Sequence, residues 1–216
     1  MKVFERCIKN ALYAACSDLL DDRQHGFVNE RSCTTQMIPF TDNLALALNN
    51  RSRTDIIYFD FAKAFDSVSH DLILSKLKNI FNVDGLMLKL PQGSILGPLL
   101  FVIFINDMFS CVSEGTNIAL YADDTKIWRE ILGYPDHHII QNDINRLYDW
   151  SVRNRMKFHP QKCKALSVSL QRNVLDNLPF NTFFYKLSGS DIDFVPSQSD
   201  LGVAINSRFN LSLIHI

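Results

Sequence analysis

The 216-residue chain lacks the cysteine pattern of a disulfide framework or a zinc site. Its five cysteines are odd in number and far apart, and no two of them show C-x-x-C spacing. We therefore expect reduced thiols, mostly buried, in an intracellular protein, with cytoplasm and nucleus equally open. The cysteines are Cys7, Cys16, Cys33, Cys111 and Cys163.

An apolar segment long enough to cross a bilayer is also missing. The most apolar run covers residues 99–105, whereas a spanning helix needs about 20 residues. Charges at Glu5, Arg6 and Lys9 interrupt the N-terminal region, so it shows no signal-peptide pattern. A membrane is therefore not an expected partner.

An overall excess of positive charge is absent as well, because the formal net charge is -1. A surface that binds a polyanion must therefore be local. Residues 150–172 contain basic residues and no acidic residue, which suits contact with a phosphate backbone, although a solvated basic face has the same composition. The basic residues are Arg153, Arg155, Lys157, Lys162, Lys164 and Arg172.

A pair of adjacent carboxylates, Asp123 and Asp124, is the most informative feature that is present. Apolar residues alternate on both sides of the pair, at Ile118, Leu120 and Ile127, which predicts two strands joined by a hairpin turn. Adjacent like charges persist where water screens them or a cation compensates them. Because a solvated turn accounts for an isolated pair, the choice depends on the rest of the chain.

A third carboxylate, Asp60, comes near the end of a predicted buried strand over residues 55–61. An ionised side chain is costly in an apolar core unless it is paired or binds a metal. Hard divalent cations take oxygen ligands, and a two-metal site places its ions about 3.5–4 Å apart. Carboxylates from separate strands therefore predict a site of that kind.

Amphipathic periodicity predicts two helices before these strands. The first covers residues 2–20, and the second runs from the N-cap residue Ser32 toward residue 49. Pro39 is expected to kink the second helix or to delay its start. The inward residues predicted for the first helix are Phe4, Ile8, Ala11, Ala15 and Leu19.

Three further helices are predicted later in the chain. One follows the N-cap residue Ser69, one is apolar almost all round and covers residues 98–109, and one covers about residues 135–152. The apolar helix should lie inside the protein, packed behind the sheet. The inward residues predicted for the helix after Ser69 are Ile73, Leu77, Ile80 and Phe81.

Three segments, in sequence order, resemble motifs A, B and C of reverse transcriptases. They are residues 59–66 (FDFAKAFD), 91–101 (PQGSILGPLLF) and 121–124 (YADD). The likeness is closest to the non-LTR (LINE-type) retrotransposon branch, ahead of group II intron maturases and telomerase, which share the palm. The joint order is more specific than any one motif. Further matches are residues 24–27 (QHGF) with Arg31, residues 157–162 (KFHPQK) as a motif D and residues 201–203 (LGV) near the start of a thumb.

The resemblance implies an α+β fold, a polymerase palm whose antiparallel sheet is backed by helices, with truncated fingers and a truncated thumb. Residues 1–54 would form partial fingers and residues 55–200 the palm with motifs A to D. Residues 201–216 would begin the thumb, although the last six match a peptide that a sequencing adapter can encode. An internal deletion is expected near residues 82–91, where the family usually has a further helix and hairpin.

The resemblance also assigns the catalytic residues. Asp60 and Asp123 would coordinate two Mg²⁺ ions, with Mn²⁺ as an alternative, and Asp124 would lie beside them as a further metal-binding carboxylate. Lys162 would neutralise or protonate the leaving pyrophosphate, with an ordinary solvated lysine as an equal alternative. Asp66 falls outside the metal-binding position and is interpreted as structural.

Substrate-binding residues follow from the same motifs. Backbone amides of Phe61 and Ala62, where a helix is expected to begin, would contact triphosphate oxygens. Phe65 matches the steric gate against a ribose 2′-hydroxyl, with an ordinary core aromatic as the alternative. Gln92 and Gly93 would pack near the nucleotide and template, and Arg31 is also expected to contact substrate.

The expected partners are an RNA template, a DNA primer and a deoxynucleoside triphosphate. The function implied is two-metal nucleotidyl transfer to a primer 3′-hydroxyl by an RNA-directed DNA polymerase. Two alternatives remain open: a non-catalytic remnant that binds nucleic acid through residues 150–172, and a decayed copy that does not fold stably.

Overall fold

The computed structural model describes residues 2–81, 95–170 and 183–213. Within these ranges the helices are α1 (Lys2–Cys16), α2 (Cys33–Asn49), α3 (His70–Asn79), α4 (Gly97–Ile105) and α5 (Tyr134–Arg153). Short 3₁₀ helices lie at Ser17–Leu19, Phe65–Ser67 and Asn106–Cys111. Gln92, Gly93, Arg172 and the deletion predicted near residues 82–91 fall outside the described residues.

The strands form sheets in which antiparallel pairing dominates. They are β1 (Arg53–Phe59), β2 (Asn117–Tyr121), β3 (Asp124–Ile131), β4 (Lys164–Val168), β5 (Lys186–Leu187), β6 (Ser190–Asp191), β7 (Asp193–Phe194), β8 (Ser197–Asp200), β9 (Val203–Asn206) and β10 (Leu211–Leu213). In the described ranges the largest sheet has the order β2-β3-β1-β4-β7, and only its β4–β7 pair is parallel. A second sheet has the order β10-β9-β8, and β5 pairs with β6. The predicted α+β class is confirmed.

The largest sheet separates two apolar clusters. Ile57 and Ile127 belong to a cluster with α1, α3, α4 and α5, whereas Ile56 and Trp128 belong to one with α2 and β9. Successive side chains of a strand point to opposite faces, so β1 contributes to both clusters and is buried along its whole length. Helix α4 lies inside the first cluster, as its continuous apolar sequence predicts.

Helix α1 buries a different face from the one predicted. The buried residues are Leu12 and Cys16, while Phe4 and Leu19 are 64% and 51% exposed. The predicted stripe is wrong except for Ile8, which is partly buried against the core. Burying leucine rather than alanine removes more apolar surface from water, and this favours the observed rotation of the helix.

The starts of α2 and α3 differ in how well the sequence predicted them. Ser32 caps α2 and accepts a hydrogen bond from the Thr35 amide at 3.2 Å. Helix α2 begins at Cys33 and continues through Pro39, so the proline does not delay its start. In α3 the N-cap position is Ser69, without a side-chain capping bond.

Of two smaller predictions, one is wrong and one is confirmed. Ile80 is 43% exposed, so its assignment to the inward face after Ser69 is wrong, because Ile80 follows the end of α3. All five cysteines are free, as expected, and Cys16, Cys111 and Cys163 are buried.

None of the described helices is both long enough and apolar enough to span a membrane.

Candidate active site

A tight β-hairpin carries the aspartate pair, as the alternating sequence predicts, with Asp123 in the turn and Asp124 at the start of β3. Strands β2 and β3 pair as far as Tyr121 opposite Asp124, which leaves Ala122 and Asp123 in the turn. Ala122 is buried and has a φ of 56°. A left-handed backbone costs a residue other than glycine roughly 1–2 kcal/mol, so contacts around the turn must hold it in place.

The end of β1 brings Asp60 to this turn. Strand β1 pairs with β3 so that Phe59 lies opposite Thr125, and Asp60 follows directly. The residue of β3 next to Thr125, toward the turn, is Asp124. The antiparallel register therefore brings together two carboxylates that are far apart in the sequence.

Asp60 and Asp124 line one cavity of about 110 Å³ together with Lys162. Its other walls come from α2, β1, β3, β8 and the turn after β8. Polar residues on these walls include Gln36, Tyr58, Lys126, Gln198 and Asp200. Asp123, which precedes Asp124 and lies in the turn, does not line this cavity. Three of the four predicted catalytic residues thus share one cavity.

Negative charge accumulates around the turn. Asp124 is exposed as a residue, yet surrounding protein atoms desolvate its carboxylate, and this is the largest cause that raises its pKa above the usual value. The carboxylates of Asp123, Asp200 and Asp60 raise this pKa further, and the Lys126 ammonium opposes them. The neighbouring carboxylates make this region negative, and a bound cation would compensate that charge.

Two lysines balance part of this charge in different ways. Lys126 on β3 forms a buried ion pair with Asp200 on β8, and its Nζ lies 4.2 Å from the centre of the Phe40 ring. Lys162 Nζ lies 3.6 Å from Asp60 Oδ1, and these two side chains are 61% and 41% exposed. Lys126 is therefore committed to Asp200, whereas Lys162 stays open to solvent.

The oxygen donors suit a hard divalent cation. Asp60 Oδ1 is buried and accepts no hydrogen bond, so a metal ion bound there would compete only with the ion pair to Lys162 and not with a hydrogen bond. In the described parts of the chain, no three Asp, Glu, His or Cys side chains converge on one point. Mg²⁺ tolerates this arrangement, since it keeps water ligands and is usually held by one or two carboxylates and substrate phosphates.

The residues just after Asp60 do not begin a helix, and that prediction is wrong. The Ala62 amide donates a hydrogen bond of 2.8 Å to the Lys157 carbonyl, and the Phe61 ring stacks on Phe158 at 4.4 Å. This segment pairs with residues 157–158 instead of coiling. The Ala62 amide therefore already has a protein acceptor in this structure.

Two other predicted substrate contacts lie away from the cavity lining. Phe65 is 42% exposed, and its ring centre lies 4.6 Å from that of Phe101 and 6.1 Å from that of Phe27. Arg31 donates to the Gln24 carbonyl at 2.7 Å and so stabilises a loop. Arg31 therefore does not line the cavity that contains Asp60 and Asp124.

Sequence reasoning missed several polar residues of the cavity. Tyr58 on β1 is two positions before Asp60, and Lys126 on β3 is two positions after Asp124. The strand period of two could therefore have placed them on the same face. Asp200 comes from a remote hairpin, and no local pattern points to it.

A family profile described as "Reverse transcriptase (RNA-dependent DNA polymerase)" matches residues 1–181. The chain belongs to the reverse transcriptase family. This family uses divalent metal ions, which agrees with the oxygen donors of the cavity. The resemblance of the chain to this family is confirmed.

Related sequences point to the non-LTR branch of reverse transcriptases. The chain is 26% identical, over 96% of its length, to "Probable RNA-directed DNA polymerase from transposon BS" of Drosophila melanogaster. It is also 26% identical, over 75% of its length, to "RNA-directed DNA polymerase from mobile element jockey" of the same organism. It spans only 26% and 22% of these two relatives.

Solved telomerase structures share the fold. The chain superposes on telomerase from Candida albicans, in complex with a fragment of telomeric RNA, with a TM-score of 0.64 and 10% identity. This match covers 96% of the chain and 38% of that telomerase. Apo telomerase from Candida tropicalis, truncated of its C-terminal domain, gives a TM-score of 0.58 at 11% identity, over 98% of this chain and 44% of that one. The predicted polymerase palm is confirmed at the level of fold.

Proposed function

We propose that this reverse transcriptase chain carries the catalytic centre of an RNA-directed DNA polymerase of a non-LTR retrotransposon. It would extend a DNA primer on an RNA template with deoxynucleoside triphosphates. The main support is that Asp60 and Asp124, from separate strands, line one cavity with Lys162. The alternative, a solvated turn, would not explain why the Asp60 carboxylate lies in the same cavity as Asp124.

In this proposal Asp60, Asp123 and Asp124 hold two Mg²⁺ ions, for which Mn²⁺ can substitute. Bound ions would activate the primer hydroxyl and neutralise phosphate charge. The protein's own contribution is to fix the oxygen donors before the ions arrive. The register of β1 against β3 and the hairpin pairing of β2 with β3 fix them.

The reaction joins the primer 3′-oxygen to the α-phosphorus of the nucleotide, releases the hydroxyl proton and expels pyrophosphate. Lys162 is exposed and its Nζ lies 3.6 Å from Asp60 Oδ1, so we assign its ammonium group the role of neutralising or protonating the pyrophosphate. Phe65 would exclude a ribose 2′-hydroxyl. Gln92 and Gly93 would contact the nucleotide and template.

The remaining proposed substrate contacts come from Phe61, Ala62 and Arg31. Because the Ala62 amide donates to Lys157, it would have to exchange that partner for a triphosphate oxygen. Arg31 donates to the carbonyls of Asp21 and Gln24, so it would act on the substrate chiefly through the loop that it holds.

The Asp123→Asn variant tests the proposal. In primer extension on RNA with Mg²⁺, we expect incorporation by the unchanged chain and a loss of at least about 100-fold in the variant, because a metal-binding charge is removed. Mn²⁺ titration followed by electron paramagnetic resonance should show weaker binding in the same variant. Asp66→Asn is the matched control, since Asp66 is exposed and outside the cavity.

Either of two results would contradict the proposal. One is full extension by Asp123→Asn. The other is an unchanged chain that neither incorporates nucleotide nor binds Mn²⁺ more tightly than Asp123→Asn does.

A non-catalytic role in nucleic-acid binding is the second candidate. After α5, Arg155 and Lys157 are exposed while Met156 and Phe158 are buried, and Arg153 is also exposed. This alternation presents cations on one surface, which suits phosphate contacts. A gel shift that weakens with salt and with Arg155→Gln, without any incorporation, would favour this role over polymerisation.

A further inference from the structure

The turn that carries Asp123 needs an external hydrogen-bond acceptor. Ala122 has a left-handed backbone, and its amide points to a side chain from a distant loop. Gln24 Oε1 accepts from the Ala122 amide at 3.2 Å and from the Gly26 amide at 3.0 Å. Gln24 is 0% exposed, so water does not compete for these bonds.

The loop of Gln24 also pairs with the free edge of β2. The His25 amide donates to the Leu120 carbonyl at 2.9 Å, and the Leu120 amide donates to the Arg23 carbonyl at 3.1 Å. β2 is the edge strand of its sheet, and Gln24 forms a parallel bridge with Leu120. These bonds fix where the Gln24 side chain meets the turn.

Gly26 permits this close approach. A Cβ added at Gly26 would lie 2.3 Å from the Ala122 nitrogen and 2.8 Å from the Tyr121 carbonyl carbon. Both are backbone atoms that cannot rotate away, so any side chain would displace the turn. Loop and turn therefore contact each other backbone to backbone.

The loop is anchored at its far side. Arg31 Nη1 donates to the carbonyls of Asp21 and Gln24, at 2.8 Å and 2.7 Å. The Asp21 amide donates to Asn106 Oδ1 at 2.8 Å, which ties the loop to the segment after α4. Gln24 is thus held from both sides.

We propose that Gln24 is a positioning residue, which holds the Ala122–Asp123 turn and thereby fixes the carboxylates of Asp123 and Asp124 relative to Asp60. The inference rests on the proposed polymerase function, because it assigns a purpose to the position of those carboxylates. An acceptor at this place offsets the strain of Ala122 and removes freedom from the metal-binding groups. Supporting residues of this kind commonly change metal affinity about 10–100-fold when they are removed.

The test variant is Gln24→Met, which keeps the length of the side chain and removes the acceptor. We expect Mn²⁺ affinity to fall about tenfold. We also expect hydrogen exchange of the Ala122 amide, measured by NMR, to accelerate at least about tenfold while exchange of the Ile57 amide stays unchanged. Gln141→Met is the matched control, since Gln141 bonds the Lys186 backbone on the surface.

Two further variants separate positioning from general stability. Ala122→Gly relieves the left-handed strain, so it should restore most of the Mn²⁺ affinity when combined with Gln24→Met. Gly26→Ala leaves the Gln24 side chain unchanged but displaces the turn. It should therefore weaken Mn²⁺ binding while hydrogen exchange of the Ile57 amide stays unchanged. A mere packing defect at Gln24 would not be rescued by glycine at position 122.

The outcomes distinguish this inference from the proposed function. If Asp123→Asn weakens Mn²⁺ binding and Gln24→Met changes neither affinity nor Ala122 exchange, the positioning role is overturned and the catalytic site stands. If Asp123→Asn also leaves Mn²⁺ binding unchanged, the proposed function fails. Should Gln24→Met not fold, Gln24→Asn, which withdraws the acceptor by one methylene group, is tested by the same two measurements, and unchanged Mn²⁺ affinity and Ala122 exchange in that variant overturn the positioning role.

Discussion

Two aspartates on or next to β1, Asp55 and Asp60, have opposite surroundings. The Asp55 side chain is 0% exposed and accepts hydrogen bonds from Arg53, Ser167 and Tyr185. The Asp60 side chain is 41% exposed and, among the described residues, forms an ion pair with Lys162 Nζ at 3.6 Å, while its Oδ1 accepts no hydrogen bond. A carboxylate whose lone pairs are all occupied stabilises the fold, whereas one left without donors can bind a cation.

The Asp55 network closes the face of the sheet that packs on α5. Tyr185 donates to Asp55 Oδ2 at 2.7 Å, and His137 Nδ1 lies 2.8 Å from the Tyr185 oxygen. Because the tyrosine proton is used on Asp55, His137 Nδ1 must carry the proton it gives to Tyr185. Burial and the nearby Asp55 charge both raise the pKa of Tyr185 well above its usual value, so this donor is retained.

The largest effect that tests this comparison is expected for Asp55→Asn. Removing one charge leaves the Arg53 guanidinium buried beside a neutral amide, and breaking a buried ion pair costs about 3–5 kcal/mol. Urea unfolding should show the loss as a lower midpoint at unchanged slope. A loss below about 1 kcal/mol would mean that Asp55 is not the structural carboxylate of the pair.

A smaller effect is expected from pH. Burial lowers the pKa of His137 below 6.5, and Asp55 opposes this only in part. The folded state therefore takes up a proton less readily than the unfolded state. Stability should be complete above about pH 6.5 and decline as pH falls through that value.

The His137→Gln variant isolates this contribution in thermal unfolding at a series of pH values. We expect its stability to depend less on pH between about 6.5 and 5 than that of the unchanged chain. Part of the slope should remain, because burial also lowers the pKa of His25. If stability depends on pH equally in the variant and the unchanged chain, His137 does not cause the loss of stability at low pH.

The smallest effect on stability is expected for Asp60→Asn, which is the matched substitution to Asp55→Asn. Its partner Lys162 is 61% exposed and solvated, so the free energy of unfolding should change by less than about 1 kcal/mol. Mn²⁺ affinity should nevertheless fall clearly, which a titration can measure. A large loss of stability in Asp60→Asn would erase the contrast with Asp55.

Local patterns in the sequence were sufficient for several elements. The hairpin of Asp123 and Asp124, the buried strand before Asp60 and the cap at Ser32 follow from periodicity and capping chemistry. The rotation of α1 and the course of the chain after Asp60 did not follow. Both depend on the neighbouring parts of the fold. After Asp60, the chain forms backbone hydrogen bonds with residues 157–158 instead of starting a helix.

By itself, the sequence determined most element types through local periodicity, and it determined the family and the candidate carboxylates through the resemblance of its motifs to those of reverse transcriptases. Only the tertiary structure decided what each carboxylate meets. The register of β1 against β3 brings Asp60 to Asp124, and the β8 hairpin adds Asp200 opposite Lys126. A remote loop places Gln24 under the turn. Such contacts join residues distant in the chain, and no local pattern encodes them.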